Sequence, residues 1–292
     1  MGLTVEVLPD EGAPQVGVTV DGLPAGVPST VTVERSTDGR TWQPVRGALE
    51  DSVTGGGFWR DHVAPLNIET TYRVSGPTLG GQADTTANIY VPSDRAWLQD
   101  PLDPRAAVPI TWLHGHDDAI LILADTAASI ARQQVADVVL PQGSRLPVAS
   151  LGARRAPEGV LLHLRAMAAA QGELVRQLRA LFDQAGVLVL RGMPIELDLD
   201  PVTHLISPAV QDSPVVGGVL GLREWQFEST QVRAPSPRIA VPWWTYDQVR
   251  ELWAGLTYDA VSAARPGATY LDWLRDPSPA ASGATARSAD VS

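Results

Sequence analysis

Val31-Thr32-Val33-Glu34-Arg35-Ser36-Thr37-Asp38-Gly39-Arg40-Thr41-Trp42 alternates apolar with polar residues for one strand length, breaks at Asp38-Gly39 and resumes toward a tryptophan. Period two marks a strand with one buried face, and Asp-Gly between two such runs is hairpin turn chemistry. Upstream, the alternation runs through Leu3, Val5, Val7 and then Val16, Val18, Val20. Downstream, further runs lie at Trp42–Val45, Phe58–Val63, Tyr72–Val74 and Ala87–Val91. Turn residues separate them at short intervals: Pro9-Asp10-Glu11-Gly12, Asp21-Gly22, Gly55-Gly56-Gly57 and Gly80-Gly81. About seven short strands before residue 93 make a small antiparallel sandwich.

Leu66-Asn67-Ile68-Glu69-Thr70-Thr71-Tyr72-Arg73-Val74, preceded by Pro65, resembles the tyrosine corner of fibronectin type III domains. There a Tyr hydroxyl bonds back to upstream backbone and locks a crossover between the sheets. The strand-turn-strand pattern around Asp38-Gly39 is similar to the two central strands of that family. Residues 1–93 are therefore expected to form an immunoglobulin-like sandwich of fibronectin type III kind, with Leu66 and Tyr72 as structural residues. That fold alone names no activity.

The chain has 292 residues, enough for two folded units and a tail. Apolar residues are 44% and charged ones 19%, which is the composition of a chain that buries a core. With no cysteine, thiolate nucleophiles, Cys-ligated zinc, iron–sulfur clusters and disulfides are all excluded. All 22 basic residues are Arg, so no P-loop, Schiff-base or kinase lysine exists. A net charge of −11 without a basic cluster argues against DNA or RNA as partner. Met1-Gly2-Leu3-Thr4-Val5-Glu6 has neither the cationic lead nor the apolar core of an export signal. The longest strongly apolar stretch, Ala119–Ala124, lies between Asp118 and Asp125, far short of the ~20 residues of a membrane helix. A soluble protein with no membrane span is expected.

Residues 94–106, with Pro101 and Pro104, read as a linker, and a second domain is expected over 107–242. Its apolar runs at Val108–Leu113, Ala119–Leu123, Val135–Leu140, Val160–Leu164, Val187–Leu190, Val215–Leu222 and Trp225–Val232 predict strands. A single helix interrupts them over Glu173–Ala185, with Leu174, Leu178, Leu181 and Phe182 on one face and Gly186 in place to terminate it.

The linker Trp97-Leu98-Gln99-Asp100-Pro101-Leu102-Asp103-Pro104, the segment Leu140–Val148, the Glu158–Arg165 strand, the helix, Leu190-Arg191-Gly192-Met193-Pro194 and the Trp225–Val232 strand together resemble minor tail proteins of long-tailed actinobacterial phages. The resemblance spans about residues 95–275. It implies the split β-barrel of distal tail proteins, which assemble as rings at the tail tip, and so a virion structural protein. The partners implied are further copies of itself, other tail proteins (tail tube, tail tip, tape measure) and host cell-surface glycan. It implies no enzymatic activity and no cofactor.

Ile110-Thr111-Trp112-Leu113-His114-Gly115-His116-Asp117-Asp118-Ala119 is similar to the start of the metallo-β-lactamase signature, where clustered imidazoles and a carboxylate hold zinc. Here the sixth position is Ala119 instead of His, and only His163, His204 and His62 remain as further ligands. A polar turn at His114, His116 and Asp118 is the preferred reading. Glu224 and Glu228 share one side of a strand, as a glycosidase pair would, but also as any solvated strand would. Arg154-Arg155 reads as surface salt-bridging. No G-x-S-x-G elbow is present.

Thr245-Tyr246-Asp247, Thr257-Tyr258-Asp259 and Thr269-Tyr270-Leu271 recur at a spacing of 12. Threonine caps helix N-termini, and Thr245 with Gln248 forms a capping-box pair, so residues 243–276 predict short helical repeats. Such short units do not bury their own aromatics. Trp97, Tyr246, Trp253, Tyr258, Tyr270 and Trp273 are thus candidates for packing or for an interface. Residues 277–292 are small and polar and are expected to form a loose tail. Three functions are distinguishable: a tail-tip structural protein, preferred here; a fibronectin-type adhesin or carbohydrate-binding accessory protein using the nine tryptophans; and a metal-dependent hydrolase.

Overall fold

A computed structural model describes residues 1–8, 12–76, 85–115, 117–167, 169–215, 221–241, 243–244, 246–269, 272–273 and 276–278. The chain is mainly β, with 40% strand and 13% helix, as its alternating patterns require.

The N-terminal strands are β1 (Gly2–Val7), β2 (Val16–Asp21), β3 (Ser29–Ser36), β4 (Gln43–Pro44), β5 (Asp51–Val53), β6 (Gly57–Asp61), β7 (Glu69–Ser75) and β8 (Thr85–Tyr90). One sheet has the order β1-β2-β6 and the other β4-β3-β7-β8, with β5 also on β3, all antiparallel. Val18 and Val20 of β2, Val31 and Val33 of β3, Trp59 of β6 and Tyr72 and Val74 of β7 fill the space between them. Two sheets around one apolar layer form a sandwich, consistent with the immunoglobulin-like expectation.

Two local expectations are corrected. Residues 37–42 connect β3 to a second strand of only Gln43–Pro44, so Asp38-Gly39 is part of a longer loop. Asp38 organises that loop by accepting from the Arg40 and Thr41 amides at 2.8 and 2.7 Å, and Gly39 supplies the positive φ it needs. Trp42 then lies in the loop under the Arg73 guanidinium. The tyrosine corner also differs. Tyr72 is fully buried as expected, but its hydroxyl donates to the Asp61 carboxylate at 2.8 Å instead of to upstream backbone. Asp61 is ion-paired with buried Arg35, and a carboxylate outcompetes a carbonyl as acceptor.

The second unit comprises β9 (Ala96–Gln99), β10 (Ala107–Thr111), β11 (Ile120–Ile122), β12 (Gln134–Val139), β13 (Val148–Arg154), β14 (Val160–Met167), α1 (Gly172–Gln184), β15 (Leu188–Arg191), β16 (Val202–Ile206), β17 (Gln211–Pro214) and β18 (Leu222–Gln231). Seven strands run β14-β11-β10-β9-β15-β16-β18, and β18 pairs back onto β14 from Leu222↔Met167 to Ser229↔Val160, which closes a barrel. β17 pairs with β18 outside this ring. Inside lie Leu98, Ile110, Ile120, Leu162, Leu164, Leu190, Leu205, Trp225 and Phe227.

Helix α1 joins that core through Val175, Leu178 and Leu181, and Phe182 meets Phe227 edge-on at 5.1 Å. Its end departs from expectation: Ala185 turns to extended backbone, and Gly186 is not needed in a left-handed conformation. The segment 94–106 is also corrected, because it contributes β9, whose four residues are all buried between β10 and β15. Its prolines, Pro101 and Pro104, fall after the strand, where they interrupt nothing.

Beyond the barrel, α2 (Tyr246–Leu252) and α3 (Tyr258–Ala264) occupy the repeat region. Thr257 caps α3 by accepting from Ala260 N at 3.3 Å, as its position predicts. Thr269 repeats the pattern with Asp272 N at 3.3 Å. Thr245 and Tyr270 lie outside the described residues. No helix is long and apolar enough to cross a membrane among the described residues.

Candidate functional site

The hairpin β12–β13 leaves the barrel between β11 and β14, anchored at its base by the Ala131↔Glu158 bridge and by Arg155 N to Gln133 O at 2.8 Å. Every residue from 133 to 156 is exposed. Strands of six and seven residues at ~3.3 Å per residue project it by roughly 20 Å. Its surface is apolar: Val138 and Leu151 stand on one face, Val139 and Val148 pair on the other, and Leu146 at the tip is 76% exposed. A two-stranded ribbon with bare apolar faces is marginal in water and gains stability by covering them.

The seam between sandwich and barrel is a built polar site. Arg191, 1% exposed at the end of β15, donates to Gln99 Oε1 at 2.8 Å, to the Ala64 carbonyl at 2.7 Å and to the Pro14 carbonyl at 2.8 Å. One cation of the barrel therefore holds two loops of the sandwich. Burial lowers its pKa to about 9. Gln99 also donates to the His62 carbonyl at 3.0 Å. The His62 ring bridges the Gln15 amide at 2.9 Å and the Val241 carbonyl at 3.2 Å, and burial pushes its pKa down to about 4. Burial also disfavours both charges of the neighbouring Arg35–Asp61 pair, but their attraction and the Tyr72 bond outweigh it. Asp61 is held below the usual carboxylate range and Arg35 above its own ordinary value.

Close approach at the seam requires Gly192. Its φ is +77°, and a Cβ there would lie 3.1 Å from the Arg95 carbonyl oxygen and 3.2 Å from a Leu66 methyl. Leu66 is buried in the sandwich core, and Trp97 belongs by backbone to the barrel but packs by side chain into the sandwich. Of the sequence candidates, Leu66, Tyr72 and Trp97 are thus brought together around this interior. Arg191, Gln99 and His62 were missed. The signal was available in one of them: an arginine closing the apolar run Val187–Leu190 needs buried acceptors.

The C-terminal aromatics divide. Trp253 is buried, donates to the Pro277 carbonyl at 2.7 Å and meets Trp273 at 5.7 Å between ring centroids. Pro277 is itself buried, so the expected loose tail does not begin there. Tyr246 and Tyr258 are 82% and 86% exposed.

The His-x-His-x-Asp segment is spread over solvent. His114 is exposed, His116 lies outside the described residues, and Asp118 is ion-paired with Arg95 at 2.8 Å. His163 instead meets Asp125 at 2.8 Å, and His204 is buried on β16 with its pKa lowered to about 4 by burial. Among the described residues no group of three His, Asp or Glu side chains is placed to hold a metal ion. Glu224 is held ionised by hydrogen bonds from its cross-strand partner Arg165 and lies 3.5 Å from His163, whereas Glu228 is exposed. Arg155 is 3.8 Å from Glu158.

No protein-family model, curated protein or solved structure matches the chain.

Proposed function

We propose that this protein is a structural component of a phage tail tip, a minor or distal tail protein that works by assembling rather than by turnover. The observation that carries this reading is the hairpin 133–156, a projecting ribbon whose apolar faces have no cover among the described residues. A ring of identical subunits supplies that cover, since each copy presents one ribbon and receives another in a head-to-tail contact that closes. The exposed Tyr246 and Tyr258 add a second apolar contact surface at the far end of the chain. The tail tube, other tip proteins and the tape measure are the neighbours for such a ring, and the site of action is the virion tail tip.

Electron microscopy and light scattering of the full chain test this. Rings or another closed homo-oligomer are expected. The double substitution Val138→Asp, Leu151→Asp should yield folded monomers, because both residues face solvent within one subunit. A wild-type protein that stays monomeric at tens of micromolar, or a charged hairpin that still assembles, would sink the reading.

A further inference from the structure

A ribbon that docks needs a receiving surface, and charge narrows the choice. Hairpin 133–156 carries Arg145, Arg154 and Arg155 against a single acid, Asp137, in a protein whose net charge is −11. It is a cationic, apolar arm on an acidic body. Arg145 and Leu146 stand together at its tip, both exposed. A surface that complements it presents bare apolar side chains among carboxylates.

The loop between β10 and β11 has that character. Trp112 and Leu113 are 40% and 49% exposed, and outside the hairpin they are the one pair of chain neighbours among the exposed large apolar residues described. Scattered single apolar residues are ordinary on a surface, whereas an adjacent pair that includes a tryptophan and is rimmed by charge has the make-up of an interface anchor. The rim here is acidic. Asp94 and Arg95 share a small dimple with Leu113, Asp118 pairs with Arg95 at 2.8 Å, and Asp117 is exposed beside it. Three carboxylates thus outnumber one guanidinium.

The loop is also held in shape. Leu113 N donates to the Thr111 hydroxyl at 3.1 Å, Gly115 turns the chain with φ +87°, and Arg95 clamps Asp118. Anchors fixed in advance lose little entropy on contact. Ile195 is more exposed, but its neighbour Asp198 is already paired at 2.9 Å with Arg132, at the base of the hairpin of the same chain.

Hairpin and loop are both bare in the single chain, so neither covers the other within one subunit. We infer that the hairpin tip of one copy docks on the Trp112–Leu113 loop of the next, with Arg145 facing the carboxylates of that loop. The inference rests on the assembly reading above, for which it names the receiving surface. Giving and receiving patches differ, so the contact is head-to-tail, the kind that builds rings when the rotation closes.

Sedimentation velocity of the full chain, with photo-cross-linking from position 146, tests this. Trp112→Ala, at an exposed site, should weaken self-association about tenfold or more, and Asp117→Arg should weaken it severalfold. Raising salt from about 0.05 to 0.5 M should also weaken it, since the facing charges lie at the rim of the contact. A benzophenone side chain introduced at Leu146 should cross-link to Trp112 or its loop neighbours in another copy. If Val138→Asp, Leu151→Asp abolishes assembly while Trp112→Ala and Asp117→Arg leave it intact, or if cross-links fall only elsewhere, such as on the Ile195 segment, this docking is overturned and the assembly reading stands. A wild-type protein that stays monomeric at tens of micromolar overturns both.

Discussion

Arg191 donates to three neutral acceptors and to no carboxylate. Its charge is dispersed into carbonyl dipoles, and its value lies in crossing from barrel to sandwich. Arg191→Met retains the volume but strands the Gln99, Ala64 and Pro14 oxygens without a donor, so a loss of about 3 kcal/mol is expected from urea denaturation. A loss under about 1 kcal/mol would mean that water replaces the guanidinium at no cost. At this scale the sequence was informative about type and silent about partner. Tyr72 was legible as a buried structural phenol, but its acceptor, Asp61, was not, because nothing in local spacing links residues on β6 and β7 before the sheets are faced.

The elements teach a different lesson. Val135–Leu140 and Leu188–Leu190 are both rich in Val and Leu, yet the first is wholly exposed and the second wholly buried. Both were readable as strands, since β-branched runs say how the backbone extends. Neither says what covers it. Helix α1 was legible to within a residue at its start, because its apolar stripe has a barrel to meet. Leu178, fully buried on that stripe, gives the direct check: Leu178→Ala should cost about 3 kcal/mol in equilibrium unfolding, and a value below about 1 would show that the helix is only loosely seated. The repeat threonines were equally local, and Thr257 caps as its position required.

Across the whole molecule, the two modules keep separate apolar cores and are joined by one buried polar seam. His62 bridges sandwich and C-terminal segment, and His204 sits in the barrel wall, both buried and both with pKa lowered to about 4. In the unfolded chain each returns to ~6.5. Below that pH the unfolded state takes up protons that the folded state refuses, so stability is full above about 6.5 and falls as pH drops toward about 4, by up to ~3 kcal/mol per imidazole. Urea midpoints at pH 7.5, 5.5 and 4.5 should therefore decline along a single cooperative transition, and His62→Gln should flatten part of the slope. Midpoints constant with pH, or two separate transitions, would contradict modules coupled through a buried seam.

Trp97 gives that seam a practical edge. Its peptide bonds are counted in one module and its indole in the other, so a cut at the visible boundary after residue 93 would leave the front module with an indole-shaped hole. Any recombination or graft that moves this module to another carrier must take the chain through Gln99 with it, or supply a tryptophan from the new host at the same place.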